Sequence, residues 1–496
     1  MFIGIDLGTS SIKTILVDDN QKIISTASKS INLINIKPGY FEQNPNVWFE
    51  ATLECFNKLK ISSPKEFRST KSIGISGQMH GATLIDKSNN VLRPCILWND
   101  TRAASICIDI EKKYPALREI SGNIAMPGFT APKILWIKNN EPDIFSQIYK
   151  VLLPKDYLRF KLTNSYYTDM SDASGTLWLN VKKRIWSEEL LNLFDLNLNH
   201  MPEIVEGSEP TAKLSLKIKE DFGFNNDIII AGGAGDQAAG ALGSGVINSN
   251  QSMISLGTSG VYFSPTSSFS SNTDQALHSF CHCIPKMWHH MSVMLSATNC
   301  LNWICENYKL KVDQSINLAE DFLNDNMALD QAPFFLPYLS GERTPHNNPY
   351  LRGSFHNLNN LTSSSAMVYS VIEGISFGIK DGFEAVHSIS PKSDEIYLVG
   401  GGSKSSFWAN IISSVLKQKI LIGQASEYGP ALGASRLAML ATKKYNINEI
   451  IKKMPIVGKY SSSKKLSEKL QNRYQIWKEI VNVNKQIAEK VMSNKI

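Results

Sequence analysis

Ile3-Gly4-Ile5-Asp6-Leu7-Gly8-Thr9-Ser10, near the start of the chain, returns in outline halfway along it as Met253-Ile254-Ser255-Leu256-Gly257-Thr258-Ser259-Gly260. Each copy is an apolar strand that runs into Gly-Thr-Ser. Glycine there permits a tight turn and close approach of backbone to ligand, while the hydroxyls and following N–H groups aim donors at an anion. One Gly-Thr-Ser is an ordinary turn. Two, separated by about half the chain, imply an internal duplication, too long for a solenoid repeat and suited to two similar domains facing a cleft. A polyphosphate could then be held from both sides. The carboxylate of Asp6 aligns with neutral Ser255, so only the first loop is equipped to hold a cation.

A chain of 496 residues exceeds what one core supports, and two or three units are expected. With 43% hydrophobic and 19% charged residues it has the make-up of an ordinary globular protein. The net charge of +6 is spread thinly, without a stripe of Lys and Arg interleaved with aromatics, which argues against a nucleic-acid partner. No apolar run approaches the roughly 18 residues a membrane span needs. Met1-Phe2-Ile3-Gly4-Ile5-Asp6 enters a strand at once, unlike a signal peptide, so a cytoplasmic protein is expected. The seven cysteines are scattered and read as free thiols. His278, Cys281, His282, Cys283, His289 and His290 crowd together, but Cys-His-Cys lacks the spacer that closes paired ligands on one zinc, and the stretch alternates like a strand.

Several segments deliver polar groups where ligands bind. A buried-looking strand over 72–76 ends in Gly77-Gln78-Met79-His80-Gly81, which places Met79 and His80 at a strand's C-terminal end. Residues 93–102 close on Trp98-Asn99-Asp100 and Arg102, a flat ring beside amide, acid and guanidinium, the mixture sugars require; a polar loop with one core tryptophan is the plainer reading. Residues 155–157 and 168–175 form acid-bearing loops expected to face solvent. The strand at 227–230 breaks into Ala231-Gly232-Gly233-Ala234-Gly235-Asp236, where small residues leave one carboxylate unshielded, as a catalytic base is presented. Its competing use is as a helix cap. The domain boundary is expected between 243 and 251, dividing the chain into 1–245 and 246–496. Beyond it, an irregular loop over 334–345 carries Glu342 and Arg343, and a long helix over 367–387 is interrupted by Gly374, Gly378 and Gly382. Gly400, Gly401, Gly402 and Ser403 then turn a strand into a helix N-terminus, a geometry that accepts a nucleotide. Leu466, Leu470, Tyr474, Trp477, Val481, Ile487 and Val491 recur at helical spacing, and predict a terminal amphipathic helix packed on the second domain.

With these motifs in order, and with the phrases GQMHGATL, LLPKDYLRF, DMSDASGT and LPYLSGERTPHNNP, the chain resembles the FGGY carbohydrate kinases from Met1 to about Ala441. Within that family it looks most like the members that act on D-xylulose. The resemblance implies an α/β fold of two ribonuclease-H-like, actin-type domains around a central cleft, sugar-binding over 1–245 and nucleotide-binding over 246–496. It implies ATP and Mg²⁺ as cofactors and transfer of the γ-phosphate to the C5 hydroxyl of D-xylulose. Asp236 would be the general base; Asp6 would hold the metal through water; Met79, His80, Trp98, Asn99 and Asp100 would meet the sugar. Thr9, Ser10, Thr258 and Ser259 would contact phosphates, and Gly400, Gly401, Gly402 and Ser403 the adenosine. Gln237 departs from the asparagine often found in D-xylulose-specific members. A homodimer is left open. The domains are expected to close when sugar fills the cleft, with the glycine-interrupted helix as hinge. Kinases for ribulose, glycerol or gluconate, and an actin- or chaperone-like ATPase module, are the alternative readings.

Overall fold

In the computed structural model, residues 1–324, 328–424, 428–451 and 455–493 are described. β1 (Phe2–Leu7), β2 (Ser11–Val17) and β3 (Ile23–Ser30) make an antiparallel meander, and β4 (Ser72–Gly77) joins β1 in parallel. β5 (Pro210–Lys213) pairs antiparallel with β6 (Ile229–Ala231), which lies parallel to β4, so the sheet runs 5-6-4-1-2-3. The apolar alternation of β1, in which Ile3, Ile5 and Leu7 are all fully buried, fixes its place at the centre.

The second sheet repeats this plan. β7 (Gln251–Leu256), β8 (Gly260–Thr266), β9 (His278–Cys281) and β10 (Trp288–Met294) are antiparallel neighbours in the order 9-10-8-7. β11 (Glu395–Val399) and β12 (Ile420–Gly423) continue parallel to β7, and β13 (Ile456–Tyr460) closes the edge antiparallel. Strand for strand, β7, β8, β10, β11 and β12 correspond to β1, β2, β3, β4 and β6, with β9 as an addition. The two Gly-Thr-Ser turns are therefore the same hairpin in each sheet.

The halves exchange helices. α1 (Asp236–Ser244) follows the first sheet, yet its Ala241 shares a core with Met253, Tyr397 and Leu421 of the second. α2 (Ser364–His387) stays within the second half, buried along most of its length. α3 (Gly429–Ala441) follows the second sheet and crosses the first, so closely that a Cβ on Gly4 or Gly74 would fall 1.9 Å from the carbonyl oxygen of Ala431 or Ala434. α1 and α3 also touch backbone to backbone at Gly243 and Gly433.

This corrects the expected hinge. Gly374, Gly378 and Gly382 of α2 are contact points for Phe335, Met294 and Ser292, all in the same half. They admit close packing, and the halves meet at the crossing of α1 with α3 and also where residues 122–184 touch residues 269–288. α4 (Lys464–Ser493) buries Leu470, Tyr474, Trp477 and Val481 in the second core, and Trp477 Nε1 donates to the Phe335 carbonyl at 2.9 Å. The apolar stripe outlasts that contact, because Ile487 and Val491 are 53% and 44% exposed. Among the described residues no helix is long and apolar enough to cross a membrane.

Candidate active site

Two carboxylates lie at the carboxyl ends of strands that flank β4 on either side. Asp6 ends β1 in register with Ser76 of β4, and Ser76 is in turn in register with Ala234, two residues before Asp236. Ser76 Oγ donates to Asp6 Oδ1 at 3.1 Å. Asp236 is the first residue of α1, and the cap position belongs to Gly235, with no side-chain bond. The Asp236 carboxylate accepts the Gln237 N–H at 2.8 Å and is within reach of the Gln237 side chain, and among the described residues no other residue's side chain bonds it, so the helix-cap alternative is not realised. Burial, then the charge of Asp236, pushes Asp6 up to about 7; burial pushes Asp236 up to about 6 against its bonds from Gln237. Because a base works only when ionised, kcat/KM should fall on the acid side with an apparent pKa of about 6 to 7 instead of near 3.8. A pH–rate profile flat down to about pH 4.5 would contradict this.

The donor set suits magnesium. Among the described residues no three His, Cys, Asp or Glu side chains gather around one point. One or two hard carboxylate oxygens, with water and phosphate oxygens completing the shell, is how Mg²⁺ is usually held.

The first Gly-Thr-Ser turn is braced from below. Trp98 Nε1 donates to Thr9 Oγ1 at 3.0 Å, and Thr9 Oγ1 donates to Gln78 Oε1 at 3.0 Å. Gln78 Nε2 reaches Gln43 Oε1 at 2.9 Å, which also accepts from Trp48 Nε1, and Gln43 Nε2 returns to the Thr9 carbonyl at 2.6 Å. The Thr9 hydroxyl is thus engaged within the protein. What the turns offer an anion is backbone: the amides of Thr9, Ser10, Thr258 and Ser259 make no hydrogen bond among the described residues. In the second turn, Thr258 is exposed and its carbonyl accepts from Ala297 N at 2.8 Å.

Met79 fills the space beside the Asp236 loop, since a Cβ on Gly235 would lie 2.7 Å from its sulfur. His80, with φ of 69°, turns its Nδ1 to the Gly175 carbonyl at 2.7 Å. A carbonyl can only accept, so Nδ1 carries the proton and Nε2 is left as an acceptor. Burial holds this imidazole neutral, down at about 3. Asn99 Oδ1 is buried without a partner, as a ligand-binding atom would be. Asp100 departs from expectation. Its oxygens already accept the Phe41 and Arg102 amides and the Arg102 guanidinium at 2.7–2.9 Å, and Arg102 in turn lies against the rings of Tyr40 and Trp136. The acid shapes the loop and has no vacant oxygen to offer a sugar.

Residues 155–157 and 168–175 do not face solvent. Lys155, Asp156, Arg159, Asp169 and Asp172 are all fully buried. Lys155 Nζ contacts Asp156, Asp169 and Asp172 at 2.5, 2.8 and 3.2 Å, and Arg159 pairs with Asp156 at 2.9 Å. Mutual pairing is what allows these charges inside. Their purpose is local: Asp169 Oδ2 accepts from Ser171 Oγ at 2.5 Å, Ser171 Oγ accepts from Gly235 N at 3.1 Å, and Arg159 donates to the Gly232 carbonyl. Both ends of the loop that presents Asp236 are tied to the cluster.

Across the molecule, Gly400 takes φ of 88° as β11 turns, where a Cβ would strike the Leu256 carbonyl at 2.8 Å. Gly402 abuts the Leu256 side chain, and Ser403 Oγ closes the turn on the Gly400 carbonyl at 2.7 Å. Gly401 alone has open space beside it, and it borders a cavity of about 450 Å³ lined by Thr298, Asn302, Asp313, Asn317 and Lys404 among others. The volume and mixed lining suit an adenosine.

Residues 1–243 match the model of the FGGY family of carbohydrate kinases, N-terminal domain, and residues 252–442 that of its C-terminal domain. The chain belongs to the FGGY family of carbohydrate kinases. The xylulose kinase of Escherichia coli (strain K12) is 42% identical over 457 residues, 92% of this chain and 93% of its own. That of Klebsiella pneumoniae is 43% identical over 441 residues, 89% and 90% of the two chains. Among solved structures, the xyloylose kinase from Brucella ovis superposes with a TM-score of 0.92 at 39% identity, covering 98% of this chain and 99% of that one.

For an FGGY kinase, the cavity beside Gly401 makes a simple prediction. Gly401→Val should raise KM for ATP about tenfold or more by filling ligand space, while leaving KM for sugar unchanged. Steady-state kinetics with each substrate varied in turn checks it, and equal effects on both would contradict it. Lys155, Asp156, Arg159, Asp169 and Ser171 lie in the phrases LLPKDYLRF and DMSDASGT but read from the sequence as solvent-facing, and Gln43 carries no signal of its own; the one local hint is polar residues inside otherwise apolar segments, such as Lys155, Asp156 and Arg159 within the helix Pro154–Thr163.

Proposed function

We propose that this FGGY kinase transfers the γ-phosphate of ATP to the C5 hydroxyl of D-xylulose, with Asp236 as general base. The observation that carries this reading is the carboxylate of Asp236, bonded only by its neighbour Gln237 and presented beside Met79 at the strand ends, with Asp6 across the intervening β4. The two curated relatives named xylulose kinase support the choice of sugar. Residues 1–245 hold the sugar, and residues 246–496 hold the nucleotide through the cavity beside Gly401 and the second Gly-Thr-Ser turn.

The C5 oxygen attacks the γ-phosphorus in line, the bond from phosphorus to the β,γ-bridging oxygen breaks, and ADP leaves. Phosphoryl transfer of this kind is mainly dissociative, so the residues align more than they activate. Asp236 takes the hydroxyl proton late, which a carboxylate with a raised pKa does readily near neutrality. The free amides of the two turns hold the phosphates, and His80 Nε2 and Asn99 Oδ1 accept from sugar hydroxyls. Asp6 would hold Mg²⁺, whose charge would offset that of the phosphate oxygens. Nuclear magnetic resonance of the product tests the assignment. A phosphorus coupling to the C5 protons is expected, and a phosphate on another carbon, or no sugar phosphate, would overturn it.

A further inference from the structure

One cation of the second half reaches the sugar pocket of the first. Arg343 sits on the loop that Glu342 fastens by accepting from the Leu295 and Arg343 amides at 2.9 and 2.7 Å. A Cβ on Gly128, the residue before Phe129, would lie 3.4 Å from Arg343 Nη2. Phe129 packs edge-on against His80 at 4.8 Å and lies 5.5 Å from His278. Arg343 Nη1 makes one long contact, 3.4 Å to His278 Nε2. Contacts thus run from the Asp236 loop through Met79, His80 and Phe129 to Arg343.

Arg343 is held loosely for a cation so deep in the fold. Arg102, Arg159, Arg184 and Arg473 each hold a carboxylate. Among the described residues no carboxylate lies within 4.0 Å of the Arg343 guanidinium. Its Nε and Nη2 make no hydrogen bond there and are not among the buried orphans, so they keep some exposure. A guanidinium donates only. Two acceptors belong to the segments that meet near Gly128: Nε2 of His80, the ring packed against Phe129, and the orphaned Oδ1 of Asn99, which follows the Trp98 carbonyl beside Gly128. Hydroxyls can donate to such acceptors, whereas a ketone oxygen can only accept and needs a donor. An open-chain 2-ketose, phosphorylated at its far end, carries both kinds of oxygen in that order.

We infer that Arg343 recognises the carbonyl oxygen of the open-chain ketose and sets the preference for ketoses over the corresponding alditols. This rests on the proposed D-xylulose reading. The test is calorimetric titration of the wild-type chain, Arg343→Gln and Arg343→Lys with D-xylulose, and with xylitol and D-arabinitol, the two alditols formed by reducing its carbonyl. The wild type should bind the ketose more tightly than either alditol. Arg343→Gln should weaken ketose binding about 10- to 100-fold, the scale of a hydrogen bond to a charged donor, with alditol binding little changed. Arg343→Lys, which keeps the charge and loses the fork, should retain part of the preference. Equal weakening for ketose and alditols in both variants, or an unchanged preference, would overturn the inference alone. Failure of the wild type to bind D-xylulose would overturn the substrate reading, and this inference with it.

Discussion

Asp236→Asn is expected to lower kcat about 100- to 10,000-fold, the range general-base removal usually costs, with ATP affinity nearly unchanged. The substitution is chosen because it preserves shape. Asparagine keeps an oxygen for the Gln237 N–H, and Gly235 remains the helix cap, so the start of α1 loses nothing structural. What disappears is the proton acceptor. The cavity proposed for the nucleotide, around Gly401 and Thr298, belongs to the other half and should not register the change. The acid limb of the pH–rate profile should move with the residue, since it is Asp236 and its neighbour Asp6 that burial raises to about 6 and about 7. Turnover close to wild type in Asp236→Asn would remove the carboxylate from the mechanism.

Lys155→Met should destabilise the fold by about 3–5 kcal/mol, the cost of stranding buried partner charges. Lys155 is fully buried among Asp156, Asp169 and Asp172. Burial works against its charge, but those three carboxylates prevail and hold it above the ordinary lysine range. Asp172 is pushed well above the usual carboxylate range, first by burial and then by Asp156 and Asp169, against the pull of Lys155. Arg159 adds a second cation to the cluster through Asp156. Methionine fills the volume and leaves the acids opposed. Denaturant unfolding of the variant measures the loss, and a second change, Asp169→Asn, should restore part of it, because an amide oxygen still accepts from Ser171. A midpoint unchanged in Lys155→Met would mean that the cluster tolerates an unpaired charge, contrary to its geometry.

The duplicated strand and turn was legible because its signals are local: buried alternation in β1 and β7, then a glycine and two hydroxyls. Asp236 was legible for a similar reason, since small neighbours advertise an unshielded acid. What escaped depends on partners far away in the chain. Asp100 looks like a sugar ligand until Arg102 and the Phe41 amide are seen to use it up. Lys155 and Asp169 look like surface charges because polar residues usually are, and only their mutual contact explains their burial. Gly374, Gly378 and Gly382 are equally consistent with flexibility and with close packing; the carbonyl of Phe335 and the side chains of Met294 and Ser292 decide for packing. The exchange of α1 and α3 between the sheets leaves no local trace at all beyond glycines at their crossing.

The most direct test of the account is ADP release by the purified protein with Mg-ATP and, in turn, D-xylulose, D-ribulose, L-ribulose, glycerol, gluconate or no sugar. The geometry of Asp236, Met79 and His80 predicts rapid release with D-xylulose and very little without sugar. Equal release with and without sugar would contradict it, because Asp236 would then be serving water.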